Sequence, residues 1–107
     1  MRFEIILAPS AVRELRALRA DIRGRVRDAL ERHLRHEPMR VSKSRIKRLR
    51  GLDRPQYRLR VDEVRVFYDV TKTTVEVLAI VAKAQAASWL AAEGVPSSAG
   101  GSGQGER

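Results

Sequence analysis

Three arginines could carry chemistry if their spacing means what it suggests. Arg58 and Arg60 precede Asp62-Glu63, and Arg65 follows it, in two runs (Gln56–Val61 and Val64–Val70) where apolar and polar residues alternate. Alternation of that kind marks half-buried strands. If Asp62-Glu63 is a two-residue turn, Arg60 lies opposite Arg65, Arg58 opposite Phe67, Leu59 opposite Val66 and Val61 opposite Val64. One face then carries Tyr57, Leu59, Val61, Val64, Val66 and Tyr68 and suits a core, while the other carries Arg58, Arg60, Arg65 and Phe67. Like charges directly opposed on paired strands repel, so the arrangement asks for an anion. Three guanidinium groups beside one aromatic ring on an open face make a platform for phosphates and a stacked base. The plainer alternative is the polar side of a half-exposed sheet. The grouping depends on register, because a one-residue slip sends every side chain to the other face, and Asp-Glu is not the preferred pair for such a turn.

The charge distribution points the same way. The 107-residue chain has a net charge of +9, and residues 40–65 alone hold ten basic and three acidic side chains. A concentrated block of this sign is the footprint expected for a polyanion partner, with an Arg-rich solvated surface as the alternative. Lys47, Arg48 and Arg50 belong to the same block. There is no cysteine, which removes disulfides and thiolate metal ligands and is compatible with a reducing cytoplasm. The apolar run Phe3–Ala8 is too short for a signal-peptide core or a membrane span.

Elements that could position these side chains follow from periodicity. Arg2–Leu7 reads as a strand, and Ser10 as an N-cap for a helix over Ala11–Arg19. Ile22, Val26, Ala29, Leu30 and Leu34 give a second helix over Asp21–Leu34 one apolar stripe, so the two form an αα-hairpin. Met39–Arg45 reads as a loop and Ile46–Leu49 as a short strand. The runs Gln56–Val61, Val64–Val70 and Thr74–Val81 make an antiparallel meander. Lys83–Glu93 then reads as a helix stopped by Gly94. The expected architecture is α+β: a small antiparallel sheet of four or five strands, the αα-hairpin on one face and a short C-terminal helix. One domain spans 1–94, and the Gly/Ser-rich tail 95–107 is expected to be disordered.

The stretches Arg48–Leu52, Tyr57–Val61 and Arg65–Val70, followed by Val75–Val81 and Lys83, resemble in order and spacing the signature of the RelE/ParE toxins. Ala8–Leu34 is similar to that family's helical hairpin, so the resemblance covers about residues 1–93. It implies a toxin of a type II toxin–antitoxin pair, silenced by a cognate antitoxin that shields the basic face or the groove beside it. The resemblance points first to a RelE-like member, which cuts mRNA in the ribosomal A site without metal or other cofactor; the alternative is a ParE-like member, which inhibits DNA gyrase. A catalytically weak, antitoxin-binding member is a third alternative. Carried over by position, the RelE-like catalytic set falls on Arg58, Arg60, Arg65 and Lys83, and its C-terminal aromatic on Trp89. Lys47, Arg48, Arg50, Phe67 and Trp89 would then bind nucleic acid, and the last helix would share in antitoxin contact.

Metal-free cleavage requires a 2′-OH to lose its proton and a phosphorane to be stabilised. Arginine stays protonated and is a poor base. Tryptophan can stack but cannot exchange a proton as tyrosine can, although for Trp89 docking of the last helix is an equal alternative. Lys83 could carry phosphate charge and, if desolvated, titrate. This set is better suited to holding phosphate than to moving protons. His33 and His36 could serve as ligands or bases, but histidines near a helix C-terminus more commonly favour its dipole.

Overall fold

A computed structural model of the chain describes residues 1–97. Strand β1 (Glu4–Leu7) leads into helix α1 (Pro9–Ala17) and helix α2 (Ala20–Ala29), whose last stretch widens into a π-turn over Leu30–Leu34. Strands β2 (Ile46–Arg48), β3 (Leu52–Arg54), β4 (Tyr57–Val61), β5 (Val64–Val70) and β6 (Thr74–Ala82) follow. A 3-10 turn over Lys83–Gln85 opens helix α3 (Ala86–Glu93), and β7 (Val95–Pro96) ends the described chain.

The main sheet has the order β1-β6-β5-β4-β2. Its four other strands are antiparallel, but β1 runs parallel to β6, against the all-antiparallel expectation. The αα-hairpin fills the face made by Leu59, Val61, Val66, Tyr68, Val75, Val77 and Ile80, using Ala11, Leu15, Val26, Ala29, Leu30 and Leu34. These are the stripe positions of the two helices, so periodicity and packing agree.

Three local expectations are corrected. Helix α1 begins at Pro9 with Ala8 as its cap residue and no side-chain cap; proline fits the first helical position because its missing N–H has no intrahelical partner there. Ser10 instead donates from Oγ to the carbonyl of Leu78. Secondly, β3 and β7 pair in a separate ladder, so order continues past Gly94 into Val95–Pro96; the expected disorder of residues 98–107 lies outside the described residues. Thirdly, Gly94 has extended backbone (φ −67°, ψ 141°) and not the left-handed form of a glycine stop. It is needed there for space, since a Cβ would lie 2.6 Å from the carbonyl oxygen of Leu90.

Strand β6 is bulged. Phe67 pairs with Ala79 and Tyr68 with Val77, leaving Leu78 as the extra residue. Beyond Leu7, where β1 ends, β6 is met by α1: Ser10 binds the Leu78 carbonyl, and Glu14 Oε1 accepts the Ile80 N–H at 2.8 Å. Among the described residues no helix is long and apolar enough to cross a membrane.

Candidate nucleic-acid interface

The turn that sets the register is Asp62-Glu63, and the register is the one alternation predicts: Arg60 pairs with Arg65, Arg58 with Phe67, Leu59 with Val66 and Val61 with Val64. Asp62 makes the turn by adopting φ 52°, a left-handed value that aspartate tolerates better than most residues. Its carboxylate meets Arg25 at 3.0 Å. Lys47 pairs with Arg58, so Lys47, Arg58, Phe67 and Ala79 form one row across four strands.

The platform is not open in the way the sequence suggested. Phe67 is fully buried, and the Trp89 indole lies on it with centroids 5.0 Å apart and planes 5° from parallel. Neither the Phe67 ring nor the indole face turned to it is free to stack on a base. Arg65 is buried too; its Nη1 donates to the carbonyls of Asp62 (2.9 Å) and Val64 (3.1 Å). It clamps the turn. Helix α3 brings this about by packing on the face opposite the αα-hairpin, with Trp89 as its anchor.

Arg58, Arg60 and Lys83 remain on or beside the face. Arg60 and Lys83 are exposed and Arg58 is half-buried. Arg58 Nη2 reaches the Ser44 carbonyl at 3.4 Å, while its buried Nε has no partner among the described residues. Burial, and then the charges of Arg65 and Arg60, pull the Arg58 guanidinium below the usual arginine range. An anion between these groups would relieve both the desolvation and the repulsion.

Lys47 and Arg50 are exposed, Lys47 on this same face. Arg48 is exposed too, on the other side of β2 from Lys47: it pairs with Tyr57, its guanidinium lies 5.1 Å over the Tyr57 ring, and its Nη1 donates to the Gln56 carbonyl. Alternation alone could have separated it from Lys47. At the far end of the face, Arg54 pairs with both Asp69 and Glu76. The phenol of Tyr68 is buried, donates to the Pro38 carbonyl at 2.6 Å and is pushed well above the tyrosine range by burial, so it is no proton donor for this face. Among the described residues there is no group of three or more His, Asp or Glu side chains able to hold a metal. The two histidines part company: His36 Nδ1 meets the Met1 carbonyl, and His33 lies among arginines.

The family model for the ParE toxin of the type II toxin–antitoxin system parDE matches residues 5–87. The chain belongs to this toxin family, within the RelE/ParE superfamily. Among solved structures, the toxin is similar to the toxin–antitoxin complex RelBE2 of Mycobacterium tuberculosis at 25% identity and a TM-score of 0.63, over 77% of this chain and 99% of that one. It is also similar to the RelE–RelB complex of Pyrococcus horikoshii OT3 at 25% identity and a TM-score of 0.59, over 78% of this chain and 97% of that one. The RelB–RelE complex of Methanococcus jannaschii shares the toxin's fold at 19% identity and a TM-score of 0.63, over 78% and 96%. No curated protein sequence matches the toxin.

Proposed function

We propose that this type II toxin acts in the cytoplasm by binding, as an inhibitor of DNA gyrase in the ParE manner, and that a cognate antitoxin neutralises it. The observation that carries the reading is the Trp89 indole lying on Phe67. With that ring covered, Arg65 engaged by carbonyls, and Asp69 and Glu76 held by Arg54, the described part of the face presents cations to hold phosphate rather than a free base for the 2′-OH proton. Purified toxin should block gyrase supercoiling or trap cleaved DNA, and Arg58→Ala/Arg60→Ala should relieve the block. Unimpaired supercoiling at saturating toxin would refute it. The antitoxin proposal draws on the solved relatives, which are toxin–antitoxin complexes. An acidic helix or added strand suits the basic face.

A second reading, ribosome-dependent mRNA cleavage, is favoured by the unpartnered Arg58 Nε. That donor is buried in the free toxin, so the Arg58 side chain would swing outward to present it to a phosphorane oxygen. In that reading Arg58, Arg60 and Lys83 hold the scissile phosphate and Arg65 sets their register. Codon-phased 5′ ends in transcripts after induction would select it over gyrase inhibition.

A further inference from the structure

The far side of the β4–β5 turn has cations that the basic face does not use. Three cavities adjoin there. One lies between the end of the α2 π-turn and the loop before β2, lined by Arg32, His33, Arg40 and Arg45. The next runs along α2 to Asp62, again lined by Arg32, His33 and Arg45. The third joins Arg45 to Arg60 across the sheet edge, with Ser44 and Asp62. Arg45 lines all three, so they follow one path from α2 to the rim of the basic face.

Arg45 is held for this position by its backbone. Its N–H donates to Ser42 Oγ at 3.0 Å, and its carbonyl accepts the Arg60 N–H at 2.8 Å. Ser42 Oγ also accepts the Ile46 N–H, which pins the loop at both ends. The Arg45 side chain itself is exposed. Among the described residues, Arg32, Arg45 and Arg60 meet no carboxylate, whereas Arg25 is paired with Asp62 and Arg40 with Glu37. Asp28 is the remaining carboxylate along the path. The acids present are therefore mostly spent on Arg25 and Arg40, and the cations left over are spaced along a groove. Several unpaired guanidinium groups strung along one groove suit a chain of phosphates better than one small anion.

We infer that the groove through Arg32, His33, Arg45 and Arg60 is a track for a phosphodiester backbone, leading from helix α2 round the sheet edge to the basic face. This goes beyond the proposed function, because it specifies a nucleic-acid path on the toxin whichever large target the basic face engages. Arg32 and Arg45 would each hold a phosphate, and His33, half-buried between them, would donate to a third or sense the anion through its proton affinity.

The test is salt-dependent binding of the full chain to a short single-stranded RNA and, separately, a short duplex DNA. Arg32→Glu/Arg45→Glu should lower affinity at least about tenfold at low salt and flatten the plot of log K against log salt by about two, one for each lost phosphate contact. Arg13→Glu/Arg16→Glu on exposed positions of α1, which packs on β6 away from the groove, makes the same change in net charge and should weaken binding far less. The proton resonances of the His33 ring should move on saturation. Binding of RNA alone, DNA alone or both supports the track and tells which backbone it follows. Equal loss in both double variants, no binding of either oligomer at low salt, or an unmoved His33 would overturn it. A toxin that still blocks gyrase while binding neither oligomer would lose the track and keep the proposed function.

Discussion

Trp89 lies flat on Phe67, the rings 5.0 Å apart at their centroids. This stack ties α3 to the face opposite the αα-hairpin. Trp89→Ala should cost about 1–3 kcal/mol in urea unfolding, the range for removing a partly exposed aromatic together with its stacking contact. Trp89→Phe should restore most of it. Because the chain has one tryptophan, its emission reports on α3 directly, and a red shift on adding a segment of the antitoxin would show the helix leaving Phe67.

The paired arginines Arg60 and Arg65 should behave differently. Arg65 makes two hydrogen bonds to the turn carbonyls from a buried site. Arg65→Ala should therefore destabilise the fold by about 2–4 kcal/mol, since charge-assisted bonds of this kind are worth more than neutral ones. Arg60→Ala, at an exposed position, should stay within about 0.5 kcal/mol of the parent. Loss of toxicity in Arg65→Ala then reports folding, and only Arg60→Ala reports the target.

Tyr68→Phe leaves the Pro38 carbonyl, buried with it, without its donor. A loss of about 1–3 kcal/mol in thermal or urea unfolding is expected, the cost of an unsatisfied buried acceptor.

His33 gives the fold a pH dependence. Burial first, then Arg45 and Arg32, hold its imidazole below the usual 6.5. The unfolded chain thus binds the proton more readily, so stability is full above about pH 6.5 and falls as pH drops from there through the depressed folded value. Urea midpoints measured from pH 7.5 to 5 should decline, and His33→Gln should flatten the decline.

Gly24 lies exposed within α2, and a Cβ there would meet nothing within 4 Å. Gly24→Ala should stabilise the toxin by about 0.5–1 kcal/mol through helix propensity alone. A raised melting temperature with unchanged toxicity is the expected result.

Sheet register was legible in the sequence because the apolar period at Leu59, Val61, Val64 and Val66 leaves only one pairing that keeps them together. The parallel pairing of β1 was not, since alternation is blind to strand direction. Nor was the β3–β7 ladder, whose strands are too short to show a period. At the candidate site, residue type and face were readable for Arg58, Arg60, Phe67 and Lys47, but accessibility was not. Whether Phe67 faces solvent is decided by Trp89, 22 positions later in the chain, and whether Arg65 is free is decided by carbonyls that no side-chain pattern reveals. The groove along α2 was hidden for the same reason: Arg32 and Arg45 belong to separate elements that only the folded chain brings together.

Strand β6 outruns β1, and a strand with bare backbone groups along one side is a template for another molecule's strand. Ser10 and Glu14, one helical turn apart on α1, occupy the Leu78 carbonyl and the Ile80 amide where that template would begin. Two polar side chains thus act as a chain terminator for the sheet. Removing them would leave the rest of the fold in place while opening a seam along which copies of the protein could zip together, so their first symptom should be turbidity in concentrated solution.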